Sequence, residues 1–449
     1  MKAQPNFPVF QSAESEASLQ VGTLFETMPL TSRHLLAGVA LFFLVALDAW
    51  EMMIVVYTGP LIATDFKLSP GQLGSLMGSM FVGIGLGAFV WGPISDRIGR
   101  QRCIVLSLVL YGVLSAFSAL SPGFYTLYAA RMVAGFALAG VMVSTFPLFE
   151  ELLPVSVRGK LSVYLSVGWP IGMLLALGTT VLFSKLGWRV VLGVSSLAAF
   201  WSLVIRFWVP ESPYWLVGVG REREAKAIIS HLSRGRLIVL AAQKLTVEKG
   251  AAGSIFEIFK ADMLQITLLQ LAVNFAFNWG YWGLQTWLPA LLQQRGFSLP
   301  ESYGFIATSA VCMIPGYVAA SYFTGRYGRK WVMFAFVGAS ALAGFAFANA
   351  SSHLLLYVFN FVLAIFSMGA SGIWNTWSAE FYPTRVRVVG YGWGLTAGRL
   401  ASIAAPSVIG FVIASLSSFN ATVMFINAFL FVTALLVLFL PETEGHDLL

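Results

Sequence analysis

Charged residues are scarce in this sequence, and so are cysteine and histidine. Of its 449 residues, 58% are hydrophobic and only 10% are charged, whereas a soluble protein carries roughly a quarter charged residues. The surplus apolar surface is therefore expected to face lipid. The two cysteines, Cys103 and Cys312, lie far apart in apolar stretches, which argues against a disulfide framework or a zinc site. The four histidines lie near segment ends or in loops.

Motifs for enzyme chemistry are also missing. The sequence has no nucleotide-binding loop, metal-ligand cluster or nucleophile motif. Glycines beside arginines, as in Gly99-Arg100, do not indicate a dinucleotide-binding site, because no predicted strand precedes them. We therefore expect no enzyme activity and no cofactor. A net charge of +7 raises the question of nucleic acid, but the basic residues are not interleaved with aromatic ones, and we expect no nucleic-acid partner.

Long apolar segments predict twelve transmembrane helices. The segment 1–33 is polar and lacks the pattern of a removable signal peptide. A polar, basic connection at 210–262 divides the spans six and six, which predicts a cytoplasmic tail (1–33), a six-helix bundle (34–209), a cytoplasmic linker (210–262), a second bundle (263–440) and a C-terminal tail (441–449). The spans are 34–62, 72–95, 103–121, 124–150, 159–184, 187–209, 263–292, 302–324, 331–349, 353–380, 388–414 and 418–440.

The distribution of Lys and Arg predicts the orientation. Of the 27 basic residues, 21 fall in the tails and loops on one side and four on the other, and Arg131 and Arg399 lie inside spans. Because cytoplasmic loops carry the excess of Lys and Arg, both termini and the linker are expected to be cytoplasmic. The basic balance is therefore a topology signal, and a plasma membrane, most simply a bacterial inner membrane, is the expected location.

The two halves of the chain repeat each other. Gly92-Pro-Ile-Ser-Asp-Arg-Ile-Gly-Arg between the second and third spans matches Ser321-Tyr-Phe-Thr-Gly-Arg-Tyr-Gly-Arg between the eighth and ninth, at a constant offset in the numbering of 229. Glu151-x-x-Pro-x-x-x-Arg158 recurs as Glu380-x-x-Pro-x-x-x-Arg387 at the same offset. Pro210-Glu-Ser recurs as Pro441-Glu-Thr. Matched motifs at nearly one offset indicate a duplicated six-helix unit.

These motifs resemble the signature loops of the major facilitator superfamily, and the resemblance covers essentially residues 34–443. It implies an all-α fold of two six-helix bundles around a central cavity that opens alternately to each side. It also implies a cytoplasmic gate, in which Glu151 with Arg158 and Glu380 with Arg387 latch the halves; the alternative is that these charges only enforce topology. The gate residues are Gly92, Asp96, Arg97, Gly99, Arg100, Glu151, Arg158, Arg326, Gly328, Arg329, Glu380 and Arg387.

Asp48 and Glu51 interrupt the first span, FFLVALDAWEMMIVV at 42–56. A charge at the bilayer centre costs about 2.5–3.5 kcal/mol on insertion scales, so such residues normally face a partner or a wet cavity. In the repeat they correspond to Phe277 and Gly280, so the duplicated scaffold does not require acids here. Since burial and a neighbouring acid favour a protonated carboxyl, we expect Asp48, Glu51 or both to carry a coupling proton; a static charge network is the alternative.

Within the superfamily, Asp48-Ala-Trp-Glu51 resembles the Asp-x-x-Asp of proton symporters for aromatic acids, nicotinate-type and sialate-type metabolites. Asn274–Pro289 resembles the seventh helix of the same group, and Gly398-Arg399-Leu400 resembles the arginine that organic-anion carriers place beside the substrate in the eleventh helix. In related sugar carriers an acid of the first helix pairs with an arginine of the fourth, here Asp48 with Arg131. Arg399 is expected to bind a substrate carboxylate or, alternatively, a first-span acid. The expected substrate-binding residues are Arg399, Asn274, Asn278, Tyr281, Trp374, Asn375 and Trp169.

The sequence thus predicts a monomeric, proton-coupled symporter for a small organic acid, aromatic or heteroaromatic in character, with lipid and protons as its other partners. A sugar or organic-cation transporter is the alternative, because Pro210-Glu-Ser-Pro and Pro441-Glu-Thr resemble sugar-porter marks, although Tyr214 stands where sugar porters usually carry Arg. An efflux antiporter has only the fragment Gly168-Trp-Pro-Ile-Gly172 in its favour. A non-transporting sensor lacks an obvious output domain.

Overall fold

The computed structural model of the chain describes residues 18–240, 243–247, 257–383, 386–416 and 418–443. The outer parts of both predicted tails and the middle of the predicted linker lie outside these residues. The described part is almost entirely helical, and its first half contains, in chain order, α1 (Val21–Thr27), α2 (Ser32–Phe66), α3 (Pro70–Ile98), α4 (Arg100–Ala119), α5 (Phe124–Leu152), α6 (Val155–Ser166), α7 (Gly168–Phe183), α8 (Trp188–Ser195), α9 (Trp201–Trp208), α10 (Pro213–Gly218) and α11 (Glu222–Leu232).

The second half repeats this order of long helices. It contains α12 (Ala261–Gln294), α13 (Leu299–Tyr327), α14 (Arg329–Ala348), α15 (His353–Glu380), α16 (Arg387–Leu416) and α17 (Phe419–Val437). Each of α12 to α15 begins where the offset of the loop motifs places the start of its counterpart among α2 to α5. The repeat predicted from the loop motifs therefore extends to the helix boundaries.

Local sequence explains where the repeated helices begin. Ser69 and Gln72 form a capping box at the start of α3, and Ser298 and Glu301 form the same box at the start of α13. Each box joins a side chain to a backbone N–H that would otherwise be unpaired. Gly99 and Gly328, with φ of 102° and 84°, precede α4 and α14, because an L side chain rarely adopts this backbone conformation.

The long helices form twelve membrane crossings. Eleven helical segments of the described chain are long and apolar enough to cross a bilayer; α6 and α7 contribute to the fifth, and α8 and α9 with a short 3-10 turn form the sixth. The remaining crossing is α12, which has 34 residues but carries Gln265, Gln270, Asn274, Asn278 and Gln285. These amides lower its apolar content. The predicted all-α fold of twelve transmembrane helices is confirmed.

Helices pack mainly within their own half. In the first half α3 and α4 lie against α5, and α2 lies against α7; in the second, α13 and α14 lie against α15, and α12 lies against α16 and α17. The two halves meet where α3 contacts α16 and where α7 contacts α13. We call the membrane face that carries residues 210–240 the linker face, and the other face the far face.

The halves are closed against each other at the far face. Gly74 of α3 and Gly410 of α16 leave no room for a Cβ, because each lies against the backbone of the other helix at Pro406 or Pro70. The hydroxyl of Tyr303 donates a hydrogen bond of 2.7 Å to the carbonyl of Tyr57 across the same boundary.

Residues 18–31 are more ordered than a tail. Leu19–Gln20 and Leu245–Thr246 form a short parallel strand pair, β1 and β2. Val21, Leu24 and Phe25 of α1 are buried. Thr31 donates a hydrogen bond of 2.6 Å to the carbonyl of Leu232 at the end of α11. The described part of the N-terminal segment is therefore packed against the linker.

Candidate functional site

The charges inside the membrane form two acid–arginine pairs, and the two acids also repel each other. Glu51 interacts electrostatically with Arg131, whereas Asp48 interacts with Arg399. Glu51 and Arg131 are 1% and 0% exposed, while Asp48 and Arg399 are only half-buried. The two acids lie three residues apart on α2, but they meet different partners because one points into the first bundle and the other towards the second.

Glu51 belongs to a closed polar cluster. The Tyr111 hydroxyl donates to Oε2 of Glu51. It lies 3.3 Å from the Ser115 hydroxyl, which in turn lies 2.9 Å from the hydroxyl of Ser195. All three partners are buried. The cluster joins α2, α4 and α8, and no sequence motif points to Tyr111, Ser115 or Ser195.

Arg131 of α5 completes this cluster. Its Nη2 donates to the Glu51 carbonyl at 3.2 Å and its Nη1 donates to the Ser115 hydroxyl at 3.4 Å. The expected pairing of Asp48 with Arg131 is wrong: Arg131 lies against Glu51, one turn further along α2. The sequence shows only that Asp48 and Glu51 lie on one helix face. Their spacing cannot show which of the two acids contacts an arginine on a neighbouring helix.

Buried atoms of this cluster remain unpaired within the described chain. Oε1 of Glu51 and Nε of Arg131 have no hydrogen-bond partner there. A buried ionic group without full hydrogen bonding is costly. The cluster is therefore suited to change its proton content or geometry, unlike a fully satisfied structural ion pair.

Arg399 of α16 faces the interface between the halves. Its Nη2 approaches Sδ of Met142, on α5, at 3.9 Å, and its electrostatic partners are Asp48 and Tyr391. No carboxylate of the described residues lies within direct salt-bridge distance of its guanidinium. Tyr391 is half-buried on the same helix and was missed from the sequence.

Two glycines of α16 bring Arg399 next to the amides of α12. A Cβ on Gly398 would lie 2.7 Å from Nδ2 of Asn278, and one on Gly394 would lie 2.7 Å from Nδ2 of Asn274. Asn278 donates to the carbonyl of Asn274 at 2.9 Å, and its side chain is half-buried. The close approach places a half-buried amide beside Arg399.

Asn274 is more enclosed than Asn278. Its Oδ1 accepts a hydrogen bond of 3.0 Å from Nε1 of Trp374, and its Nδ2 donates to the carbonyl of Gln270 at 3.0 Å. Trp374 is buried and packs against Trp377 and Phe381. These contacts give Trp374 a place in the core of the second bundle, where it orients Asn274.

Aromatic side chains close the space between the halves. Nε1 of Trp169, on α7, donates to the Tyr281 hydroxyl at 3.1 Å. Trp282 packs edge-on against Trp169 and Phe81, with ring centroids 5.6 and 4.7 Å apart. Trp169 and Tyr281 are half-buried and Trp282 is buried. An aromatic wall therefore lies on α7 and α12. Asn375 is exposed on α15 and makes no hydrogen bond with the described residues.

The signature loop of the first half is held by short-range contacts. Arg100 lies 3.2 Å from Asp96 and 3.4 Å from Glu151, and Nε1 of Trp215 donates to the Asp96 carbonyl at 2.6 Å. Arg97 is exposed. Gly92 lies inside α3, and the turn between α3 and α4 is formed by Gly99.

The second half repeats the core of this arrangement. Arg329 pairs with Glu380, as Arg100 pairs with Glu151. Arg326 is exposed and its guanidinium lies 5.6 Å from the Tyr327 ring centroid. Gly328 begins α14 as Gly99 begins α4.

Neither Arg158 nor Arg387 forms a salt bridge with Glu151 or Glu380 among the described residues, although Arg158 acts electrostatically on Glu151. The latch between these groups stays a prediction. Arg158 donates to the Leu153 carbonyl at 3.2 Å, and Arg387 donates to the Tyr382 carbonyl at 3.3 Å. Glu151 instead pairs with Arg100, the first residue of α4, and Glu380 pairs with Arg329, the first residue of α14. Arg158 and Arg387 each follow their glutamate by seven residues. Their side chains turn back onto backbone carbonyls at the end of the preceding helix, α5 or α15.

Two glutamates missed as functional residues tie these loops together. Glu211 accepts hydrogen bonds from the backbone N–H groups of Arg100, Gln101 and Ser212 at 2.9–3.1 Å. Glu442 does the same for Arg329, Lys330 and Thr443 at 2.9–3.0 Å. A carboxylate at a helix N-terminus satisfies unpaired donors and the helix dipole. The repeated motifs Pro-Glu-Ser and Pro-Glu-Thr are the sequence feature that could have identified these two glutamates.

Comparison with known proteins supports this architecture. The profile of the family described as "Sugar (and other) transporter" matches residues 10–449. The niacin transporter of Acinetobacter baylyi is 30% identical over 405 residues, which cover 89% of this chain and 92% of that one. The cis,cis-muconate transport protein of the same organism is 27% identical, over 83% of this chain and 86% of that one.

A solved structure supports the fold. The xylose transporter of E. coli, in a partially occluded inward-open conformation, superimposes with a TM-score of 0.76 and covers 93% of this chain and all of that one, at 17% identity. Together with the twelve helices and the duplicated signature loops, these matches identify an integral membrane transporter and not an enzyme. The chain belongs to the sugar (and other) transporter family of the major facilitator superfamily.

Proposed function

We propose that this transporter is a proton-coupled symporter for a small organic acid, with an aromatic or heteroaromatic carboxylate as its substrate. The observation that carries the proposal is the half-buried Arg399, which faces the space between the bundles without a direct carboxylate partner among the described residues. A guanidinium in such a place is a natural ligand for a carboxylate, because two parallel hydrogen bonds fit the two groups.

The surroundings of Arg399 favour a flat, partly polar substrate. Asn278 offers an amide next to the arginine, and Trp169 and Tyr281 offer partly accessible ring surface. Aromatic side chains prefer offset or edge-on contacts with another ring. The relatives named as niacin and cis,cis-muconate carriers support a small carboxylate substrate for this chain.

Asp48 and Glu51 have different roles in this proposal. Asp48 is the counter-charge that Arg399 has when no substrate is bound, and a substrate carboxylate replaces it. Glu51 carries the coupling proton, because it is 1% exposed in the closed cluster with Arg131, whereas Asp48 is half-buried beside Arg399. The proton neutralises Glu51 and weakens its electrostatic attraction to Arg131, and this frees the first bundle to rock against the second.

The closed far face corresponds to one conformation of the transport cycle. Closure there, with Asp48 and Arg399 half-buried, is the arrangement from which a carrier loads or releases its substrate at the linker face. We propose that the linker face is cytoplasmic, that the membrane is a bacterial inner membrane and that the carrier works as a monomer. Lipid and protons are its other partners.

Uptake into proteoliposomes tests the function. Nicotinate and benzoate should accumulate when the outside is acidic, and this accumulation should collapse with a protonophore. Arg399→Ala should weaken binding of the acids about 30-fold or more, because an unpaired binding partner costs about 2 kcal/mol or more, while Arg223→Ala, at an exposed position of α11, should bind normally. Accumulation that ignores the pH gradient would contradict proton coupling.

A sugar carrier is the second candidate, because the family profile and the xylose transporter both match this chain. Thermal stabilisation of the purified protein separates the two. Stabilisation by nicotinate or benzoate supports the organic acid, and stabilisation by xylose or glucose supports the sugar.

A further inference from the structure

A basic cavity lies outside the transport site, at the linker face of the first bundle. Its volume is about 330 Å³, and it opens between the start of α4, the end of α9 and the helices α10 and α11. Arg102, Arg206 and Arg221 line it together with His231. A second cavity, of about 500 Å³, shares His231 and is lined by Arg33 and Arg234.

Most carboxylate oxygens at these cavities are already hydrogen-bonded; the exception is Oε2 of Glu211, which is buried and has no partner among the described residues. Glu211 accepts three backbone hydrogen bonds, and Glu224 forms a bidentate pair with Arg221 at 2.6–2.7 Å. Burial and the nearby Arg33 lower the pKa of His231, so at neutral pH the positive charge belongs to the arginines. Arg102 and Arg206 are exposed, and their guanidinium groups have no hydrogen-bond or salt-bridge partner in the described parts of the chain.

An apolar path leads from the bilayer to these two arginines. Leu106, Val109 and Val113 are 43–52% exposed and follow Arg102 on one face of α4. The exposed apolar side chains of the sixth crossing include Phe200, Leu203 and Phe207. The two helices touch closely, since Gly112 leaves no room for a Cβ against Ser196 and Ala199. The path is therefore a shallow groove with a basic end.

We propose that this groove binds an anionic phospholipid, with its phosphate between Arg102 and Arg206 and its acyl chains along the exposed faces of α4 and the sixth crossing. Apolar surface at bilayer depth selects a lipid, and the two exposed guanidinium groups that line one cavity select a phosphate. A soluble phosphate shares only the second of these interactions. Because α11 lines the cavity, the lipid holds the linker helices against the first bundle.

Native mass spectrometry of the full chain tests the proposal. The probes are phosphatidylglycerol, phosphatidylcholine and inorganic phosphate. Phosphatidylglycerol should bind in preference to phosphatidylcholine, and Arg102→Gln and Arg206→Gln should each lower its occupancy about fivefold, the contribution of one basic residue at an anionic surface. Arg223→Gln, on exposed α11 surface away from the cavity lining, is the matched control.

The melting temperature without added phosphatidylglycerol shows whether each variant is folded. If one of the two variants fails to fold, the other carries the test. Unchanged phosphatidylglycerol binding in folded Arg102→Gln and Arg206→Gln would overturn the proposal. Equal binding of phosphatidylcholine, or displacement of the lipid by inorganic phosphate at equal concentration, would overturn the lipid as ligand.

Discussion

The Tyr111 hydroxyl donates a hydrogen bond to the carboxylate of Glu51, from α4 to α2, where neither side chain is more than 1% exposed. This contact connects the proposed proton carrier to Ser115 and Ser195. Asp48, whose carboxylate interacts with Arg399, lies outside this cluster. The two acids that look alike in the sequence therefore have different environments.

Tyr111→Phe should reduce coupling without abolishing the carrier. The ring keeps its packing, but Glu51 loses its hydroxyl donor and Arg131 loses one acceptor at 3.5 Å. We expect pH-gradient-driven accumulation to fall severalfold while substrate exchange between equal pH values persists. Uptake and counterflow in the same proteoliposomes measure both. Tyr125→Phe, at an exposed ring on α5, is the control; loss of counterflow in Tyr111→Phe would indicate a structural role instead.

Glu51→Gln and Asp48→Asn should differ in phenotype. Glu51→Gln removes the proton carrier, so accumulation against a gradient should be lost while exchange continues. Asp48→Asn leaves Arg399 without its counter-charge, so acids should bind more tightly and leave more slowly, and coupling should survive. Binding by isothermal titration and uptake in proteoliposomes distinguish them. If the double variant still accumulates substrate with the pH gradient, neither acid carries the proton.

Gly398→Ala should disturb the substrate side of the site. The added Cβ would lie 2.7 Å from Nδ2 of Asn278, so the amide must move and its hydrogen bond to the Asn274 carbonyl is strained. A lost hydrogen bond costs about 1 kcal/mol, and we expect weaker substrate binding by about fivefold. Gly392→Ala is the matched control, because a Cβ there meets nothing within 4 Å. Equal affinity in both variants would show that Asn278 does not shape the site.

Glu211→Ala should destabilise the linker face of the first bundle. The three N–H groups that Glu211 accepts from lie at the start of α4 and just after α9, and the loss of a cap costs about 1–2 kcal/mol. We expect a lower melting temperature in detergent. Glu26→Ala, at an exposed position of α1, should melt like the parent chain. If Glu211→Ala melts with it, the carboxylate has no capping role.

The sequence alone determined the architecture. Two six-helix bundles are predicted by the twelve apolar segments, the single long polar connection and the loop motifs repeated at one constant offset. Hydropathy and internal repeats can be read from the sequence without knowing how the helices pack. The membrane charges were found for the same reason, since Asp48, Glu51, Arg131 and Arg399 stand out in apolar surroundings. The boundaries of the tails, linker and bundles stay a prediction, as do the roles of the site residues.

Only the tertiary structure decided which residues meet. Arg131 lies against Glu51 rather than Asp48, and Glu151 lies against Arg100 rather than Arg158. Spacing along one helix places two side chains on a face, but the rotation of neighbouring helices chooses between them. The residues without a motif of their own are Tyr111, Ser115, Ser195 and Tyr391. They joined the site because helices far apart in the sequence pack side by side.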